Sequence, residues 1–129
     1  MWLFFVGGFV SIVQKTGESR LTVRARSAAD LNAFRVFCPR LTPTTFGGSD
    51  YPCRAYVGRE DLAEALAAVA RSLSASNFKN AVARTQGEGR AKIYGRLWQE
   101  LLAIEAENPP RPSKRRGERA APRKGRSDG

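Results

Sequence analysis

The run Leu21-Thr22-Val23-Arg24-Ala25-Arg26 limits the folds open to this chain more than any other stretch. Leu21, Val23 and Ala25 alternate with Thr22, Arg24 and Arg26, the period of a strand with one buried and one polar face. Phe9 to Lys15 precedes it, and the polar segment Thr16–Ser19, with Gly17, reads as the turn of a β-hairpin. Asp50 to Val57 repeats the alternation. Tyr51, Cys53, Ala55 and Val57 are expected on one face, Arg54 and Tyr56 on the other, and Gly58 ends the strand.

Helical patterns follow the strands. Ser27 with Asp30 resembles a cap, a hydroxyl for a free amide and a carboxylate near the positive helix end. The helix it opens is expected over Ala28 to Phe37, with Leu31, Phe34 and Phe37 on one stripe and Pro39 as the stop. Leu41 to Ser49 is rich in Thr, Gly and Pro and reads as a loop. A second helix runs from Arg59 to about Leu73, its acids Glu60 and Asp61 in the first turn. Ser76 or Asn77 caps a short helix, Phe78 to Arg84, and Gln86–Gly89 is a loop. The last helix spans about Arg90 to Glu105, striped by Ile93, Leu97, Leu101 and Ile104 and widened by Tyr94 and Trp98.

The leading run Trp2 to Val13 is apolar, but it is shorter than a membrane span and no Lys or Arg precedes it. Gly7-Gly8 divides it into two strands, Trp2–Val6 and Phe9–Lys15. At the other end, Asn108 to Gly129 holds no Val, Ile, Leu, Met or aromatic residue. Such a segment buries too little apolar surface to offset its ordering entropy. The expected organisation is a single α+β domain over 1–106 and a disordered basic tail over 107–129. Within the domain, grouped strands followed by helices predict a small, mainly antiparallel sheet, ferredoxin-like or related, with helices packed on one face.

The 129 residues carry a net charge of +10, and eight basic against three acidic residues from Glu107 onward supply half of it. Body and tail are both basic. The balance favours polyanions, nucleic acid ahead of acidic membrane or protein. Arginine-rich composition in small proteins of GC-rich genomes gives the same excess without a partner. Histidine is absent, so no imidazole base exists, and no nucleophile has an evident activating neighbour. The reading leans away from an enzyme, and neither metal nor cofactor is expected. The spacing of Cys38 and Cys53 leaves a disulfide open. The expectation is two partly buried thiols in a reducing cytoplasm.

Several short motifs run through the body: Trp2-Leu3-Phe4; Gly8-Phe9 with Ser11-Ile12-Val13-Gln14-Lys15; Leu21 to Arg26; Asp50-Tyr51-Pro52 with Arg54; Asn77-Phe78-Lys79; and Tyr94 with Trp98. On these the chain resembles a small family of bacterial proteins without an established activity. Members of that family often carry an aromatic residue where this chain has Cys53. The resemblance implies domain limits, excludes the tail and implies no chemistry.

Three groups of residues are candidate binding sites. The first is the polar sheet face, with Thr22, Arg24 and Arg26 on one strand, Arg54 and Tyr56 on another and, at the hairpin end, Lys15. Arginines grip phosphates and stack on bases, and rings on open sheets stack unpaired bases. The competing reading pairs these arginines with Asp30, Asp50, Glu60 or Asp61. The second is the glycine-bearing loop before the last helix, with Lys79, Arg84, Arg90 and Lys92 around it. The third is the tail, with Lys114, Arg115 and Arg116. Together they predict a small cytoplasmic, non-enzymatic module that binds nucleic acid and no membrane. The alternative is a protein–protein adaptor or inhibitor, as in phage defence or counter-defence, acting through the aromatic N-terminus or the Tyr94–Trp98 side of the last helix.

Overall fold

The computed structural model describes residues 1–48 and 50–109. The strands are β1 (Trp2–Phe5), β2 (Gly8–Val13), β3 (Leu21–Ala25), β4 (Thr45–Phe46) and β5 (Cys53–Val57). The helices are α1 (Ala28–Arg35), α2 (Arg59–Arg71), α3 (Phe78–Gln86), α4 (Glu88–Leu101) and α5 (Ala103–Glu107). The fold is α+β, and the five strands form one antiparallel sheet in the order β1-β2-β3-β5-β4. With β5 rather than β4 beside β3, and α1 the one helix inserted among the strands, this is not the β-α-β-β-α-β element order of a ferredoxin-like sheet.

The alternation expected of β3 holds for its apolar side, but Thr22, expected on the polar face with Arg24 and Arg26, is fully buried. Leu21, Val23 and Ala25 are buried, and with Val10, Ile12, Cys53, Ala55 and Val57 they form one apolar face. Leu31, Phe34 and Cys38, from α1 and the turn after it, and Leu62 and Ala65 of α2 close over that face. Phe34 and Leu31 are fully buried, and each contributes roughly 1.5–3 kcal/mol by leaving water.

Helices α1 and α2 occupy the face foreseen for helices, but α3 and α4 do not join them. Val82, Ala91 and Tyr94 pack against Phe4 and Phe9, residues of the opposite face, and make a second core at the β1–β2 end. Phe4 stacks on Phe9 with ring centroids 4.4 Å apart, and Tyr94 meets Phe4 edge-on. Phe4 and Phe5 thus serve two cores on opposite sides of one strand, as pleating requires.

Local chemistry explains most boundaries. Val6-Gly7 turns the chain between β1 and β2, and a Cβ at Gly8 would lie 3.1 Å from the Asp30 backbone, so α1 sits close on this strand. Ser27 caps α1, accepting the Asp30 amide, and Asn77 caps α3, accepting that of Asn80. Helix α1 stops at Arg35, short of the expected Phe37, where the Cys38 amide turns back to the Phe34 and Arg35 carbonyls. The strand expected from Asp50 begins only at Cys53, because Pro52 brings no amide to a ladder. The segment read as loop supplies the short edge strand β4. The loop expected over Gln86–Gly89 shrinks to Gly87, whose φ of 94° lets α4 follow α3 directly. Cys38 and Cys53 are both buried and unpaired. Among the described residues no helix is long and apolar enough to cross a membrane. Lys114, Arg115, Arg116 and all of the tail from residue 110 lie outside the described residues.

Candidate functional site

Strand register decides which polar side chains meet. Trp2 pairs with Ser11, Ser11 with Arg24, Arg24 with Arg54, and Arg54 with Thr45. These five positions form one row across the whole sheet, on the face away from α1 and α2. The neighbouring row holds Val13, Thr22 and Tyr56. Arg24 and Arg54 therefore stand directly opposite one another, and Arg26 follows one pleat beyond Arg24 on the same face. Like charges placed this way destabilise a sheet unless something offsets them.

The offset comes from an aromatic ring and neutral acceptors. Tyr51 is buried between Phe9 and the arginines. The guanidinium carbons of Arg24 and Arg26 lie 4.5 and 4.4 Å from its ring centroid, within cation–π range. Arg24 also donates to Ser11 Oγ at 2.8 Å, Arg26 donates to the Asp50 carbonyl, and Arg54 Nε donates to the Tyr51 carbonyl at 3.3 Å. Arg24 Nε is buried without a hydrogen-bond partner among the described residues. Farther along the face, Arg20 lies 3.7 Å over the Tyr56 ring.

Among the described residues no carboxylate takes part in this cluster. Among the described residues the ion pairs are Arg20–Glu18 and Arg90–Asp30. The competing expectation, that Asp30, Asp50, Glu60 or Asp61 neutralises the sheet arginines, does not hold among the described residues. Positive charge is thus concentrated here without a neutralising carboxylate among the described residues. Arg24 and Arg54 are partly exposed and Arg26 is exposed, and the terminal N–H groups that reach solvent there suit an external anion.

Asp30 serves elsewhere. It is 3 % exposed and sits where β2, α1 and α4 meet. Arg90 grips both its oxygens, at 2.5 and 2.8 Å, while the Phe9 amide and the Ser27 hydroxyl donate at 2.8 Å each. Burial alone would raise the carboxyl's pKa. The Arg90 hydrogen bond, followed by those from Phe9 and Ser27 and by the Arg90 charge, outweighs burial and holds the pKa below the usual carboxylate value. The Asp30 hydrogen bond in turn raises the Arg90 pKa, against the effect of burial. Arg90, expected near an anion-binding loop, is thereby already engaged within the chain.

The remaining expected site residues are scattered. Lys15 follows β2 at the hairpin end, beyond the Thr22–Tyr56 row. Lys79 lies in the first turn of α3 beside Gly95. Arg84 borders a different groove, near Phe37 and Leu73. Lys79 and the Gly87 junction stand toward opposite ends of α3, so no cationic loop site forms there. The residue that sequence reasoning misplaced is Tyr51, expected on the core face with Cys53. Pro52 breaks the alternation before β5 begins, and Tyr51 falls on the arginine side instead. Arg20 was missed because it lies in the turn, just before β3.

No family model, curated protein or solved structure matches this chain.

Proposed function

We propose that this protein is a small, non-enzymatic, cytoplasmic binding module that contacts nucleic-acid phosphates through Arg24, Arg26 and Arg54, with Tyr56 beside them and the basic tail adding non-specific attraction. The observation that carries the reading is the cluster on Tyr51: guanidiniums on adjacent strands with no carboxylate among the described residues to neutralise them. Bidentate donation suits phosphate oxygens, and an unpaired base that reaches Tyr56 would displace the Arg20 guanidinium now 3.7 Å over its ring. Lys15 extends the positive surface at the hairpin end, where Arg20 is paired with Glu18. Two unpaired buried thiols support a reducing compartment.

The test is binding of a fluorescent single-stranded oligonucleotide by the full chain and by a chain ending at Pro109. Arg24→Ala combined with Arg54→Ala weakens binding by about tenfold or more in both, since each lost charge-assisted contact is worth roughly 1–3 kcal/mol. Unchanged affinity in the shorter chain, with an unchanged melting temperature, refutes the sheet-face reading.

A further inference from the structure

The aromatic rings around the arginine cluster differ in what covers them. Tyr51 is buried, with Arg24 and Arg26 against its ring. Tyr56 lies under the Arg20 guanidinium. Phe4 and Phe9 stack on each other, and Tyr94 closes on Phe4. Trp2 is different. It is 64 % exposed, and among the described residues its ring meets no cation and no ring except Phe9, 5.9 Å away with the planes 84° apart. Indole surface is therefore left open to solvent on the face that carries the arginines.

Register puts that indole in line with the cations. Trp2 opposes Ser11, Ser11 opposes Arg24, and Arg24 opposes Arg54. At ordinary strand spacing Trp2 stands about 10 Å from Arg24 and about 14 Å from Arg54 across the sheet. A nucleic-acid backbone gripped by both arginines runs across the strands, and its continuation toward β1 meets the indole. An indole takes a base on its face only when that base is unpaired, because the interior bases of a duplex are already stacked on both sides. We infer that Trp2 is a base-stacking residue that makes the arginine face selective for single-stranded over double-stranded nucleic acid. The inference rests on the proposed contact of Arg24 and Arg54 with phosphate. The arginines attract either form, and Trp2 distinguishes them.

The test is binding of a labelled mixed-sequence DNA of about 12 nucleotides, single-stranded and as its duplex, to the full chain. Trp2→Ala raises the single-strand dissociation constant by about tenfold, the effect of one lost base stack, and leaves the duplex constant within about twofold. The slope of log affinity against log salt stays the same, since no phosphate contact is lost. Trp2→Phe keeps a ring face and stays within about threefold of the wild type on both DNAs. Trp2 is exposed, so circular dichroism is unchanged in both variants. The chain has two tryptophans, and in Trp98→Phe the remaining emission, from Trp2, falls as single strand is added and not as duplex is added. Equal losses on the two DNAs in Trp2→Ala, no loss on either, or emission indifferent to the single strand overturns the inference. The arginine reading survives that result if Arg24→Ala with Arg54→Ala still weakens binding. If that double variant binds like the wild type, the arginine reading falls and the inference with it.

Discussion

Arg90 and Arg24 show the same side chain in opposite electrostatic settings. Arg90 meets a buried carboxylate head-on, and its charge is consumed in tying α4 to α1 and β2. Arg24 meets a tyrosine ring and a serine hydroxyl, which hold it in place and leave its charge intact. The first arrangement is a structural joint. The second keeps cations close together without neutralising them, a state a sheet sustains only when polarisable or neutral groups separate the charges. The difference separates stability from binding: substitutions at the joint act on folding, and substitutions of the cluster's arginines act mainly on partner affinity.

The largest effect is expected at Asp30. Asp30→Ala removes one member of a buried ion pair together with acceptors for Phe9 and Ser27, and costs about 3–5 kcal/mol in denaturant unfolding. Arg54→Ala, by contrast, costs no more than about 1 kcal/mol, because its hydrogen bond goes to a carbonyl that water serves as well. Equal losses at the two sites would erase the distinction. Gly8→Ala comes next at about 1–3 kcal/mol, since the added methyl presses on the Asp30 backbone and pushes α1 from β2.

Acid sharpens the comparison. The folded Asp30 carboxyl titrates below its unfolded value, so it contributes stability that is fully present above about pH 4 and is lost as pH falls through the folded pKa. Urea midpoints followed from neutral pH downward should drop more steeply for the wild type than for Asp30→Asn. Parallel curves would mean that Arg90 does little for the carboxylate. A smaller effect tests the other region: Tyr51→Leu removes the ring beneath two guanidiniums and costs about 1–2 kcal/mol, while Tyr51→Phe, which keeps the ring, stays within about 0.5 kcal/mol on thermal unfolding.

Sequence patterning revealed those features whose causes are local. The Leu21–Arg26 alternation placed Arg24 and Arg26 on the polar face, and Ser27 with Asp30 announced the α1 cap. That Arg24 and Arg54 share a face was legible once both strands were assigned, but not their direct pairing, because alternation fixes neither strand order nor register. The Asp30–Arg90 joint was not legible either, because sixty residues separate its members and nothing near either marks the other. Tyr51 was misplaced because a strand pattern was carried back through Pro52, where no ladder forms. The arrest of α4 packing after Tyr94 was equally hidden: the stripe from Ile93 to Ile104 looks the same whether the body covers it or stops halfway.

Salt dependence of oligonucleotide binding probes the account most directly. With the chain ending at Pro109, log affinity is measured against log salt for the wild type and for Arg24→Ala with Arg54→Ala. Two lost phosphate contacts should reduce the slope by about 1.4 for a single strand and weaken binding across all sequences alike. Identical slopes and affinities for the two proteins would contradict the claim that these guanidiniums meet phosphate.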